Sequence, residues 1–156
     1  MQISTRGRYA VMAMAELACR QRSGAVTVTL GEIAANQQLS LCYLEQLFGG
    51  LRRRGLVASA RGPGGGYRLA RPAADVTIGD ILAAVEEPLR ATRCGVSLTG
   101  CLQGEDQEKV RCRTHDLWDE LSRQIQFFLN AVTLDDVISG NVCGRALRPG
   151  NAEPVA

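Results

Sequence analysis

Ser40-Leu41-Cys42-Tyr43-Leu44-Glu45-Gln46-Leu47-Phe48 and, further on, Arg61-Gly62-Pro63-Gly64-Gly65-Gly66-Tyr67 are the two runs that decide the fold. In the first, Leu44, Leu47, Phe48 and then Leu51 recur at helical spacing, while Cys42, Tyr43, Glu45 and Gln46 fall on other faces. Ser40 stands where a helix N-cap is expected. Just upstream, Thr29 and Glu32 fit a capping box opening a short helix over 30–37, with Ile33 and Ala34 inward. Two short helices joined by a tight turn predict a helix-turn-helix. Gly49-Gly50 lies inside the second of them and implies either a kink or a close contact, because glycine costs about 1 kcal/mol in a helix interior. Arg52-Arg53-Arg54 closes that helix, where positive charge suits the negative end of the dipole, and Gly55 breaks it.

The second run is turn chemistry between two short strands, Leu56–Ala60 and Tyr67–Leu69. A hairpin after a helix-turn-helix predicts a winged helix. Its recognition helix would enter a major groove, and Arg61 at the wing base would reach phosphates or the minor groove. The glycines also leave backbone amides unshielded, able to approach a phosphate. Ahead of these elements, Thr5–Arg22 reads as a helix with a broad apolar face, ended by Gly24. The expected fold is mainly α with a small β-hairpin wing, and residues 1–72 form the DNA-binding unit.

Charge supports this division. The 156 residues carry a net charge of only +2. Residues 1–71, however, hold ten arginines and three carboxylates, a net of +7, and the remainder holds a net of −5. A basic half joined to an acidic half points to a polyanion partner for the first half alone. The 46% hydrophobic and 22% charged content excludes a disordered or fibrous chain. No apolar run approaches the ~20 residues of a membrane span, and no secretory signal opens the chain, so a cytoplasmic location is expected.

In the second half, Thr77 and Asp80 open another helix with Ile78, Ile81, Leu82 and Val85 along one stripe. A long helix is predicted from about Thr114 to Val132, striped by Leu117, Leu121, Ile125, Phe128, Leu129 and Val132, and Thr133-Leu134-Asp135-Asp136 caps one more. Residues 73–140 are read as the second unit and 141–156 as a disordered tail. Between the helices, Arg90–Arg113 is irregular. Here Cys94, Cys101, Cys112 and His115 gather within 22 residues, and His115 is the only histidine of the chain. Thiolates suit iron–sulfur clusters, zinc or Cu(I), and imidazole suits zinc and iron. This pattern predicts a metal site and by itself leaves cluster and zinc open. Cys19, Cys42 and Cys143 read as bystanders. No Ser–His–acid set or phosphate-binding loop presents itself, so no enzyme is expected.

These residues also carry a resemblance. Gly7-Arg8-Tyr9-Ala10-Val11, the Tyr43-Leu44-Glu45-Gln46-Leu47-Phe48 run, Gly55-Leu56-Val57, the Arg61–Tyr67 wing, Ala91-Thr92-Arg93-Cys94 and Thr114-His115 with Leu117-Trp118 resemble the IscR family of iron–sulfur cluster regulators over about residues 1–140. The resemblance implies a homodimeric winged-helix transcription regulator, activator or repressor, whose long second-half helix pairs with its twin. It implies a [2Fe-2S] cluster on Cys94, Cys101, Cys112 and His115, with a cluster assembly scaffold as donor. It further implies contact with double-stranded DNA through Ser40, Cys42, Tyr43, Glu45, Gln46, Arg61, Pro63, Gly64 and Gly65, and control of iron–sulfur assembly genes.

The chain departs from that family's pattern in four places, one of them Gln2, where a basic residue is common. The Cys101–Cys112 spacing is long, with Gln103–Arg111 resembling an insertion. Cys42 replaces a serine, and Gly49-Gly50 is atypical. The alternatives are a nitric-oxide or redox sensor of the same family, a zinc-stabilised DNA-binding protein, and an iron–sulfur carrier without DNA specificity. A nitric-oxide-sensing relative uses an acidic ligand near the N-terminus, where this chain has Arg8.

Overall fold

A computed structural model describes residues 3–87, 89, 102–103 and 109–144. Helix α1 (Thr5–Arg22) starts at Ser4, whose hydroxyl accepts from the Gly7 amide. Helix α2 (Leu30–Gln37) opens on a complete capping box. Thr29 accepts from the Glu32 amide, and the Glu32 carboxylate accepts from the Thr29 amide. Gln38, in left-handed backbone at φ 53°, turns the chain into α3 (Leu41–Arg53).

Strands β1 (Val57–Ala60) and β2 (Gly66–Leu69) pair antiparallel, Val57 opposite Leu69 and Ala60 opposite Gly66. Val28 and Tyr67 exchange backbone hydrogen bonds at 2.9 and 2.7 Å, so the chain before α2 lies along the wing. The winged helix-turn-helix is present as the sequence predicts. β1 begins one residue late because the Leu56 amide donates to the Leu51 carbonyl and closes α3.

A 3-10 turn (Ala73–Asp75) leads to α4 (Ile78–Ala84), which has a second capping box, Thr77 with Asp80. Strands β3 (Leu102–Gln103) and β4 (Lys109–Val110) pair antiparallel, Leu102 opposite Val110. This hairpin falls inside the stretch that reads as irregular. Strands of two residues are too short to show an alternating pattern. The long helix is α5 (His115–Ala131), and α6 (Leu134–Ile138) carries a third capping box, Thr133 with Asp136. The amides of Ile78 and Leu134 donate to Val132 and Val76, pinning the start of α4 to the α5–α6 junction.

One apolar cluster runs from Met14 and Leu17 of α1 through Leu44, Phe48 and Leu51 of α3 to Ile81 and Leu82 of α4 and Leu134 of α6. The core is therefore continuous across residue 72. Val142 packs against it, and the rest of the expected tail, 145–156, lies outside the described residues. On α5 the stripe is divided: Leu129 and Val132 are buried, whereas Leu117, Leu121 and Phe128 share an exposed face.

The glycine pair in α3 is explained by contact. A Cβ on Gly50 would stand 2.7 Å from the Ala84 carbonyl oxygen at the end of α4, a backbone atom, while one on Gly49 would meet nothing within 4 Å. Gly50→Ala is expected to destabilise the chain by about 1–3 kcal/mol through overpacking. Gly49→Ala is expected to stabilise it by up to about 1 kcal/mol through helix propensity. Urea unfolding of the two variants checks this. Equal effects would contradict the contact.

Candidate nucleic-acid interface and metal-ligand turn

The apolar side of α3 fixes which residues it offers to a groove. Leu44, Leu47, Phe48 and Leu51 are buried, which leaves Cys42, Glu45 and Gln46 exposed and Tyr43 half-buried. Ser40 is exposed at the N-cap, but its hydroxyl makes no capping bond. Phe48 meets Tyr67 of β2 edge-on, ring centroids 4.9 Å apart, so the recognition helix and the wing are packed as one piece.

At the wing, Arg61, Pro63 and Gly64 are exposed and Gly65 is half-buried. The Gly64 carbonyl accepts from the Thr27 hydroxyl at 2.7 Å, which anchors the turn to the chain before α2. The Gly65 amide donates to the Gly62 carbonyl at 2.8 Å. That amide is held inside the turn rather than left open, as the glycine-rich composition alone suggests. A Cβ at Gly65 would stand 2.6 Å from the Ala60 carbonyl, so glycine is needed there for the turn itself.

The charges of the first half sort into two groups. Arg20 pairs with Glu16 at 2.6 Å and Glu32 at 3.6 Å, Arg71 pairs with Asp80 at 2.7 Å, and Arg22 donates to the Ile138 carbonyl and the Ser139 hydroxyl. The other arginines (Arg6, Arg8, Arg52, Arg53, Arg54, Arg61 and Arg68) are exposed. Of the three carboxylates, only Glu45 has no partner among the described residues. The sole unengaged acid of the basic half therefore stands on the recognition helix.

The second candidate region starts from one turn. The His115 amide donates to the Cys112 carbonyl at 3.0 Å, which brings a thiol and an imidazole to the start of α5. Cys112 is half-buried, its sulfur 3.5 Å from the Thr114 hydroxyl, and His115 is buried. Cys94 and Cys101 lie outside the described residues. Leu102, next to Cys101, pairs with Val110, two residues before Cys112. Within the long Cys101–Cys112 spacing, the described residues 102–103 and 109–110 pair with each other. Among the described residues no group of three or more potential metal donors occurs, and Cys112 and His115 are the half of the set that they include. No described helix is long and apolar enough to cross a membrane.

Residues 3–140 match the Rrf2 family, described as iron-dependent transcriptional regulators. The chain belongs to the Rrf2 family. It is 43% identical to the HTH-type transcriptional regulator IscR of Cereibacter sphaeroides, over 99% of this chain and 94% of that one. Among solved structures it is similar to IscR of T. potens, with a TM-score of 0.69 and 36% identity over 90% of this chain and 88% of that one. It is equally similar in sequence, 36%, to CymR, the global cysteine regulator of B. subtilis, with a TM-score of 0.72 over 90% and 98%.

As an Rrf2 regulator the chain acts on transcription through DNA, and relatives of this kind agree with its reading as a non-enzyme. Sequence reasoning did not select Arg8 and Tyr9 for this interface. The Arg8 guanidinium lies 5.7 Å from the centre of the Tyr9 ring, and Tyr9 meets Tyr43 of α3 edge-on at 6.1 Å. An exposed cation on α1 is thereby placed beside the recognition helix. The signal available was the Gly7-Arg8-Tyr9 run at the first turn of α1.

The α1–α2 joint of this Rrf2 reader is electrostatic. Glu16 accepts from Arg20, from Asn36 at 2.8 Å and from Gln37 at 3.1 Å. The Arg20 hydrogen bond holds its carboxyl below the ordinary value of 4.5, against an opposing push from burial. The same pair raises Arg20, and the Thr29 hydrogen bonds lower Glu32. A lowered carboxyl contributes its full stability above its unfolded value and loses it as pH falls through the folded one. The unfolding free energy is therefore expected to drop more steeply in the wild type than in Glu16→Gln from about pH 5 to about pH 3. Parallel curves from urea unfolding would contradict the assignment.

Proposed function

We propose that this Rrf2 protein is a homodimeric regulator that reads promoter DNA under the control of a [2Fe-2S] cluster held by Cys94, Cys101, Cys112 and His115, and that it sets the expression of iron–sulfur assembly genes. The observation that carries the reading is the Cys112–His115 turn, with the β3–β4 pairing setting Leu102, next to Cys101, opposite Val110, two residues before Cys112. Three thiolates and one imidazole suit an iron–sulfur cluster. When bound, the cluster supplies a redox-sensitive group whose presence reports the supply of iron and sulfide. A cluster assembly scaffold would deliver it, in the cytoplasm.

On the DNA side, Ser40, Cys42, Tyr43, Glu45 and Gln46 would face the major groove, with Arg61, Pro63, Gly64 and Gly65 at the phosphates and minor groove. Gly65 would act by shaping the turn, since its amide is already engaged. Glu45 would set selectivity. A carboxylate accepts from cytosine N4, but an unmatched base leaves it desolvated and unpaired, at a cost of several kcal/mol or about that order. The homodimer reading is supported by Leu117, Leu121 and Phe128, which expose one apolar stripe of α5 at the spacing used by paired helices.

Protein purified without oxygen is expected to be brown, with visible absorbance and equal amounts of iron and sulfide. Cys112→Ala is expected to lose the colour while keeping its helical circular dichroism. Colourless protein with stoichiometric zinc would contradict the reading.

A further inference from the structure

The end of α4 precedes the proposed ligand loop in the sequence, and it touches both the recognition helix α3 and the first helix α1. On α3, the Ala84 carbonyl lies against Gly50. On α1, Leu82 and Glu87 close over Gly7, where a Cβ would stand 2.9 Å from Leu82 Cδ2 and 3.0 Å from Glu87 Cγ. The Glu87 carboxylate then accepts two hydrogen bonds from Ser4, one from its amide at 2.7 Å and one from its hydroxyl. Ser4 is the N-cap of α1.

Electrostatics explains why an acid sits there. A helix N-terminus favours a negative charge, yet the first turn of α1 contains no acidic residue and carries Arg6 and Arg8. Glu87 supplies that charge from another element. The same stretch of α1 bears Tyr9, whose ring meets Tyr43 on the recognition helix.

The backbone at this point is also unusual. α4 ends with the Glu87 amide donating to Leu82 and the Glu86 amide to Ala83, the Schellman arrangement. Its left-handed position, normally glycine, is Glu86 at φ 58°. Such backbone is strained and persists only when its surroundings hold it. Two residues on, the Leu89 carbonyl accepts from Gln126 of α5. Cys94 follows Glu87 by only seven residues.

We infer that Glu87 is a positioning residue that couples the state of the ligand loop to α1 and, through the Tyr9–Tyr43 contact, to the recognition helix. The inference rests on the cluster reading above. Movement of the loop root withdraws the carboxylate from Ser4, loosens the first turn of α1, and releases Tyr43 from its fixed neighbour. The loop then acts on DNA choice without touching DNA.

The test measures affinity for a duplex from the promoter of the protein's own gene by fluorescence anisotropy, with full-length protein in cluster-loaded and cluster-free form. The wild type is expected to show different affinities in the two states. Glu87→Ala is expected to keep the visible spectrum while its loaded-to-free affinity ratio falls several-fold toward one. Glu87→Gln, which can still accept from the Ser4 amide, is expected to restore much of the ratio. Should Glu87→Ala fail to fold, Ser4→Ala removes the hydroxyl that donates to Glu87, together with its cap on the Gly7 amide, and is expected to lower the ratio by a smaller factor. An intact spectrum with a wild-type ratio in Glu87→Ala, or in Ser4→Ala where that variant replaces it, overturns the coupling. A wild type that takes up the cluster but shows equal affinities overturns it too. A wild type that never acquires the spectrum overturns the cluster reading itself, and the coupling with it.

Discussion

The carbonyl oxygen of Ala84 occupies the space where a side chain on α3 would otherwise stand. Because residue 50 is glycine, the end of α4 approaches the recognition helix backbone to backbone. A methyl group there would push the two helices apart, and close-packed interiors have little room to give. The approach fixes three things together: the seat of α3, the continuity of the core from the DNA-reading half into the second half, and the point from which the chain departs toward Cys94. The glycine at Gly50 thus trades helix propensity for proximity between a reader and the root of the proposed ligand loop.

Electrostatics follows the same division of labour. Arg20, Glu16 and Glu32 are used to hold α1 against α2, and Arg22 and Arg71 tie the reader to α6 and α4. The remaining exposed charges of the basic half are seven arginines and Glu45, its one unengaged carboxylate. Salt-sensitive attraction to phosphate is the expected property of such a surface, and a single acid on the recognition helix is suited to discrimination rather than affinity.

Much of this was legible in the sequence because local rules agreed with one another. The helix periods, the capping signals at Thr29, Thr77 and Thr133, and the glycine-rich wing all appear where the residues place them. What was not legible depended on distant partners. Gly49 and Gly50 look alike in sequence, and only the position of Ala84 separates them. Arg8 comes near the recognition helix only through Tyr9 and Tyr43, which belong to different helices. The Gly65 amide looks open until the turn is folded and the Gly62 carbonyl takes it. The β3–β4 hairpin is too short to leave a pattern. Of the ligand set, Cys112 and His115 share one backbone turn at the start of α5, while Cys94 and Cys101 lie outside the described residues.

In the proposed homodimer the exposed stripe on α5 would be covered by a second copy of the chain, and two readers and two ligand loops would act as one unit on a two-fold operator. In the proposed function the state of the loop decides which DNA the readers accept. Footprinting the cluster-loaded and cluster-free protein, wild type and Glu45→Ala, over the promoter of its own gene tests this most directly. The account predicts different protected sites for the two wild-type states and the same sites for both states of Glu45→Ala. Identical wild-type footprints, or a difference that survives in Glu45→Ala, would contradict it.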